Sequence, residues 1–194
     1  MTYLILGLLI FLGAHSVKIL APGWRDAQLA RMGENGWKGV YSLVSALGLG
    51  LIIWGFGAAR VDSPALWIPP IWTRHLAASL TLPAFILLVA AYLPGSRIKA
   101  AVGHPMVAGV KLWALSHLLA NGKLVDVVLF GAFLIWAVAD FISARRRDRA
   151  AGRSYPVRKG PRDAMVVGIG VVAWLLFAYF GHTWLIGVSP FRIN

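Results

Sequence analysis

Residues 103–120 read GHPMVAGVKLWALSHLLA, an apolar run typical of a membrane helix that nevertheless contains Lys111 and His117. Hydrocarbon cannot solvate a cation or satisfy an imidazole, so an ionisable group at that depth costs several kcal/mol unless it has a partner. Such groups are by default functional or mutually paired. The stretch therefore indicates a membrane protein, and it also indicates where the chemistry of that protein lies.

The composition of the whole chain agrees with a membrane location. Of 194 residues, 59% are hydrophobic and 13% charged, with a mean hydropathy of +0.72, whereas soluble domains carry about 25% charged residues. Six stretches approach the length needed to cross a bilayer. They are Thr2–Leu20, Gly39–Ala59, Leu76–Leu93, Pro105–Ala120, Leu124–Ile142 and Met165–Val188. We expect an all-α integral membrane bundle of about six transmembrane helices, forming one domain over residues 1–194.

The net charge of +12 is informative only when the basic residues on the two sides of the membrane are counted separately. With six spans, both termini lie on the same side, and that side holds four basic residues: Arg60, Arg74, Lys123 and Arg192. The other side holds fourteen Lys and Arg residues: Lys18, Arg25, Arg31, Lys38, Arg97, Lys99, Arg145, Arg146, Arg147, Arg149, Arg153, Arg158, Lys159 and Arg162. This asymmetry predicts external termini and a cytoplasmic basic loop over residues 143–164. We expect that loop to face anionic membrane lipid, and we expect no nucleic-acid partner.

The residue types available restrict the chemistry. The chain has no cysteine, which excludes disulfides, thiolate catalysis, iron–sulfur clusters and covalent c-type haem attachment. Its seven acidic residues lie in loops or near span ends, so no carboxylate pair in mid-membrane is available for general acid–base work. A proton pump or hydrolase is therefore disfavoured. Any redox or metal chemistry must use histidine.

Five histidines are candidates. They are His15 in the first span, His75 at the outer mouth of the third, His104 at the start of the fourth, His117 in its outer half and His182 in the sixth. Thirteen helical residues separate His104 from His117 by about 140° in azimuth and about 20 Å in height, so these two cannot share one cofactor. His75 adjoins Arg74 at the interface, where water can solvate it.

Each candidate also has an ordinary structural interpretation. His104 precedes Pro105 and suits the start of a helix, as a capping or interfacial residue. Lys111 lies on the same helix face as His104 and can extend toward the cytoplasmic surface, with Asp140 as a partner. His117 shares a face with Trp113, and an intramembrane imidazole often bonds a neighbouring carbonyl.

Several motifs resemble those of the NnrU family. The two strongest are Gly103-His104-Pro105-Met106 and the run from Gly109 to Gly122. The others are Gly13-Ala14-His15-Ser16, Gly33-Glu34, Tyr41-Ser42-Leu43-Val44-Ser45 and Phe130-Gly131-Ala132-Phe133. The family is named from bacterial denitrification loci and is similar to 15-cis-zeta-carotene isomerase, an integral membrane protein with haem b. The resemblance implies a multi-pass protein of the bacterial inner membrane.

The resemblance also implies a haem b site. Its iron ligands would be His15, from the His-Ser motif of the first helix, and His117, from the Trp-x-x-x-His pattern. Ala114 stands where the isomerase has a cysteine. The depths of the histidines in their spans leave two other pairs open, His15 with His104 and His117 with His182. The remaining cofactor-binding candidates are Lys18 and Lys111, which would neutralise the propionates, and Trp113 and His104.

The function implied is isomerase-like redox chemistry on an apolar polyene, or a role in nitric oxide handling or denitrification. No catalytic residue is assigned. One alternative is a non-catalytic assembly or interaction partner of a respiratory or denitrification complex. A second is a membrane methyltransferase of the isoprenylcysteine or phospholipid type, whose cofactor-binding helix resembles the His-Pro-x-x-x-Gly opening at residues 104–109.

Overall fold

The computed structural model describes residues 1–191, which are mostly helical. The helices are α1 (Thr2–Leu20), α2 (Pro22–Ala59), α3 (Trp72–Tyr92), α4 (Arg97–Val102), α5 (Pro105–Ala120), α6 (Leu124–Ala150), α7 (Arg162–Leu176), a π-helical turn (Phe177–Gly181) and α8 (His182–Ile186). Within the described residues the only β-type pairing is an isolated bridge between Ala65 and Lys123. The prediction of an all-α fold is confirmed.

Five helical segments are long and apolar enough to cross a membrane. They are α1, α2, α3, α6 and the continuous stretch Arg162–Ile186. The remaining predicted span, α5, is a shorter apolar helix with the predicted bounds Pro105–Ala120. The fold is therefore all-helical with five helical segments that could cross a membrane, while the number of crossings and the side of the termini stay predictions.

Two segments read from the sequence as loops are helical. The predicted first loop, residues 21–38, lies almost entirely in α2, because proline at the first helical position is compatible with a helix. That helix is interrupted at Gly33, whose φ of 72° and ψ of 169° are not helical. The predicted basic loop, residues 143–164, begins as eight further residues of α6, since arginine is a good helix former.

The chain forms two compact units. That residues 1–194 make up one domain stays a prediction. The first unit comprises Met1–Trp67 and Gly122–Trp136. Its main packing joins α1 to α2 through glycines of α2. A Cβ on Gly48 would lie 2.8 Å from the backbone nitrogen of Phe11, and one on Gly55 would overlap that of Leu4. These two glycines therefore permit close packing of α1 against α2.

The second unit comprises Ile68–Asn121 and the chain from Ala137 onward. Here α3 packs against both α5 and α7. A Cβ on Gly109 of α5 would lie 2.9 Å from the carbonyl oxygen of Ala84, so these backbones also approach closely. The indole N–H of Trp174 on α7 donates to the hydroxyl of Thr81 on α3, at 3.0 Å. The close approach at Gly109 holds α5, which begins after His104 and carries Lys111, Trp113 and His117, against α3.

Candidate functional site

His15 lies in the fourth turn of α1 with a defined ring orientation. Its Nδ1 is 2.7 Å from the carbonyl oxygen of Phe11, one turn earlier. A carbonyl oxygen can only accept, so Nδ1 carries the proton of this bond. In the neutral ring the lone pair then belongs to Nε2, which is the atom that would bind a metal.

Aromatic side chains surround the His15 ring within the first unit. Ring centroids lie at 4.1 Å for Phe11, 5.2 Å for Tyr41 and 5.9 Å for Trp136, the last edge-on. The indole Nε1 of Trp136 is buried and has no hydrogen-bond partner among the described residues. The hydroxyl of Ser45, one helical turn after Tyr41, has the same property. Unpaired buried donors are rare, and they indicate a missing polar ligand or water.

His117 has the same local arrangement on α5. Its Nδ1 is 2.8 Å from the carbonyl oxygen of Trp113, four residues earlier, so Nε2 again holds the lone pair. The buried hydroxyl of Ser116 donates to the same carbonyl at 2.8 Å and lies 3.2 Å from Nδ1. The ring is 5.4 Å from the Trp113 ring, between centroids. Ala114 is fully buried in this turn.

His182 is the residue that the structure brings to His117. It follows the π-helical turn Phe177–Gly181, a helix distortion frequent at functional sites. Its Nδ1 is 2.6 Å from the carbonyl oxygen of Val188, which fixes the same tautomer. The two imidazole centroids are 6.5 Å apart and their planes differ by 19°. These two residues are one of the alternative ligand pairs that the depths of the histidines in their spans left open.

The chemistry of these histidines fits haem iron. All three donate Nδ1–H to a backbone carbonyl, the outer-shell bond that orients metal-ligating imidazoles. A histidine imidazole is a usual protein ligand of haem iron. Among residues 1–191 no group of three or more His, Cys, Asp or Glu side chains could hold a metal ion.

The remaining predicted cofactor residues have different surroundings. The ammonium of Lys111 lies 3.6 Å from the ring centroid of Phe141, a cation–π contact. The predicted partner Asp140 is instead 3.8 Å from a guanidinium nitrogen of Arg147, so the pairing of Lys111 with Asp140 is not observed. Lys18 is exposed in the last turn of α1.

His104 belongs to a separate polar cluster that the sequence did not reveal. Its Nε2 donates to the Asp148 carboxylate at 2.8 Å, and the hydroxyl of Tyr155 donates to the same oxygen at 2.8 Å. Asp148 was read as a loop residue, but it lies in the last turns of α6 with a side chain only 7% exposed. Burial and the hydrogen bond to Asp148 raise the pKa of Tyr155 above its usual value.

His75 lies in the first turn of α3 and is exposed. Its own carbonyl oxygen accepts a hydrogen bond from the hydroxyl of Ser79, at 2.9 Å. Of the five histidines, His75 is therefore exposed, His104 belongs to a polar cluster, and the other three donate Nδ1–H to a backbone carbonyl. Only the last three, His15, His117 and His182, have the local geometry of metal ligands.

Comparison with known proteins identifies the family. The model of the NnrU protein family matches residues 3–190, which include all five histidines. The chain matched no curated protein and no solved structure. Because the family match extends over nearly the whole sequence, this chain belongs to the NnrU family.

Proposed function

We propose that this protein binds haem b in a bacterial inner membrane, with His117 as one iron ligand and His15 as the second. One observation carries the proposal. In both residues the Nδ1–H donates to the carbonyl four residues earlier, which orients the ring and puts the lone pair on Nε2, the nitrogen that would bind a metal. The resemblance to the haem-containing isomerase supports the choice of these two histidines.

His182 is the alternative second ligand. Its ring lies 6.5 Å from that of His117, and its Nδ1 is likewise bonded to a carbonyl oxygen. In the pairing that we propose, His182 is instead a polar neighbour of His117. Single substitutions distinguish the two arrangements.

The haem would supply a redox-active iron able to take up or release one electron within the bilayer. The protein's own residues orient the ligands and control polarity. Phe11 and Tyr41 provide an aromatic surface beside His15 that excludes water. The indole N–H of Trp136 and the hydroxyl of Ser45 offer hydrogen bonds to a polar group there. We propose Lys18 and Lys111 as the cations that balance the propionates.

The apolar surroundings favour an apolar or uncharged small substrate. An isomerase-like conversion of a polyene and a reaction linked to nitric oxide or denitrification both meet this condition. A non-catalytic partner of a respiratory or denitrification complex is the competing proposal, since it requires no substrate. The methyltransferase alternative is weakened because His104, which opens its His-Pro motif, is bonded to Asp148.

The test is the absorption spectrum of the full-length protein purified in detergent. We expect a Soret band that sharpens and shifts on reduction, and a pyridine haemochrome of the b type. A protein that is monodisperse and folded but lacks any Soret absorption, even after expression with added haem precursor, would contradict haem binding. If haem is bound, conversion of a cis-polyene by the reduced protein would favour the isomerase-like function over the role of a non-catalytic partner.

A further inference from the structure

The segment before α7 forms an open cavity that is rich in cations. Its volume is about 240 Å3. Arg97, Arg158 and Lys159 line it, together with one carboxylate, that of Asp163. These residues lie outside both the histidine sites and the polar cluster of His104.

Arg158 is held in place by a glycine. Its backbone N–H donates to the carbonyl oxygen of Gly95 at 3.0 Å. Gly95 has φ of +91°, and a Cβ there would lie 2.7 Å from Cγ of Arg158. The stem of this arginine therefore packs on a position that requires glycine for both conformation and space. The same arginine also lines a smaller neighbouring cavity beside Lys99.

The single carboxylate does not neutralise the cavity. One oxygen of Asp163 accepts backbone N–H bonds from Arg97 at 2.8 Å and Ile98 at 3.3 Å. Its other oxygen is 4.0 Å from Nε of Arg97, whose side chain is 85% exposed. Asp163 thus joins the start of α4 to the start of α7, and three cations face one acid. The cavity is suited to an anion.

The position of the cavity indicates where that anion comes from. The Gly95 turn follows the end of α3 at Tyr92, and the Arg158 segment leads into α7 at Arg162. Both helices are candidate membrane spans, so the cavity lies at the end of two spans, where lipid headgroups are found. At about 30 Å3 for each water molecule, its volume equals roughly eight waters and accommodates a phosphate with part of its alcohol.

We propose that this cavity is a specific site for the phosphate of an anionic phospholipid headgroup, held by Arg97, Arg158 and Lys159. The site is distinct from general attraction of the basic segment to a charged surface, because Gly95 packs on the stem of Arg158 and Asp163 holds the backbone of Arg97. The proposal does not depend on haem binding.

The test compares Arg158→Gln with Arg149→Gln, which removes the same charge from the exposed end of α6. Full-length protein in neutral detergent is titrated with phosphatidylglycerol or phosphatidylcholine, and bound lipid is counted by native mass spectrometry. We expect Arg158→Gln to weaken phosphatidylglycerol binding about fivefold, which corresponds to about 1 kcal/mol for one cation near a membrane surface. Arg149→Gln and the charge-preserving Arg158→Lys should each change it less than about twofold.

Equal losses in Arg158→Gln and Arg149→Gln would overturn the proposal in favour of unspecific surface attraction. Equal binding of phosphatidylcholine and phosphatidylglycerol would overturn it as well. Inorganic phosphate and glycerol 3-phosphate are tested as competitors in the same assay. If either displaces the lipid at micromolar concentration, the site serves a soluble phosphate compound and the lipid assignment is wrong; competition only at high millimolar concentration supports the lipid headgroup.

Discussion

His117 and His182, 65 residues apart in sequence, lie with their imidazole centroids 6.5 Å apart and their planes within 19°. Each donates its Nδ1–H to a backbone carbonyl, and His15 does the same. Three histidines therefore share the tautomer that metal ligands need, while haem iron takes at most two axial ligands. Substitutions therefore test whether His15 or His182 is the second ligand in the proposed haem site.

The first prediction concerns that second ligand. We expect His15→Ala to convert six-coordinate haem to a five-coordinate form or to release it, because an axial imidazole is lost. His182→Ala should retain a six-coordinate spectrum with a small shift, since a neighbour rather than a ligand is removed. His75→Ala, at an exposed position, is the matched control. The opposite pattern, with His182→Ala five-coordinate and His15→Ala unchanged, would assign the second ligand to His182.

The second prediction concerns Lys111, whose ammonium lies over the Phe141 ring. We expect Lys111→Met to lower haem retention, because removing a cation leaves a propionate unpaired in a medium of low dielectric. Phe141→Leu removes the cation–π contact, worth about 0.5–2 kcal/mol, and keeps the charge. Haem content and melting temperature are measured for both. Unchanged haem content in Lys111→Met, with equal or higher stability of the haem-free protein, would rule out the propionate role.

The third prediction concerns the polar cluster at the start of α5. Asp148→Ala leaves the His104 and Tyr155 donors without their shared acceptor, and we expect a loss of about 1–3 kcal/mol in the free energy of unfolding. Asp26→Ala removes an exposed acid and should cost less than about 1 kcal/mol. Haem content should stay at the wild-type value. Haem loss without destabilisation would return His104 to the cofactor site, where the sequence had placed it.

Hydropathy predicted well the bounds of helices that are apolar along their whole length. The bounds of α1 and α5 agree with the predicted spans residue for residue. The prediction was wrong where a helix continues into a polar segment, at the start of α2 and at the end of α6. Residues 21–38 were expected only to connect two spans, although Pro22 is well suited to the first position of a helix. The arginine-rich end of α6 was read as loop because a hydropathy criterion does not register helices that continue into water.

Within the candidate site, only contacts between residues close in the sequence could be predicted. Bonds such as His117 to the Trp113 carbonyl follow from helical spacing, and the shared face of these two residues was evident. The depths of the histidines left the pair His117 with His182 open, but that these two rings meet depends on tertiary packing, which has no signature in one sequence. Asp148 was missed for the same reason, since its partner His104 is 44 residues distant.

The fourth prediction concerns topology. The fourteen Lys and Arg residues within 18–38, 97–99 and 145–162 should keep these segments in the cytoplasm and both termini in the periplasm. A C-terminal alkaline phosphatase fusion should therefore be active, because that enzyme needs the oxidising periplasm, and a green fluorescent protein fusion exported in unfolded form should be dark. A fusion after Arg149 should give the reverse result. An active cytoplasmic reporter at the C-terminus would contradict six crossings.

The central claim, that His117 Nε2 binds haem b, is tested most directly by His117→Gly with and without imidazole. We predict that wild-type protein carries one haem b per chain in a six-coordinate, low-spin form. His117→Gly should lose that form, and imidazole, by occupying the vacated space, should restore it. The matched His75→Gly should behave as wild type in both conditions. Retention of the wild-type spectrum by His117→Gly without imidazole would contradict the account.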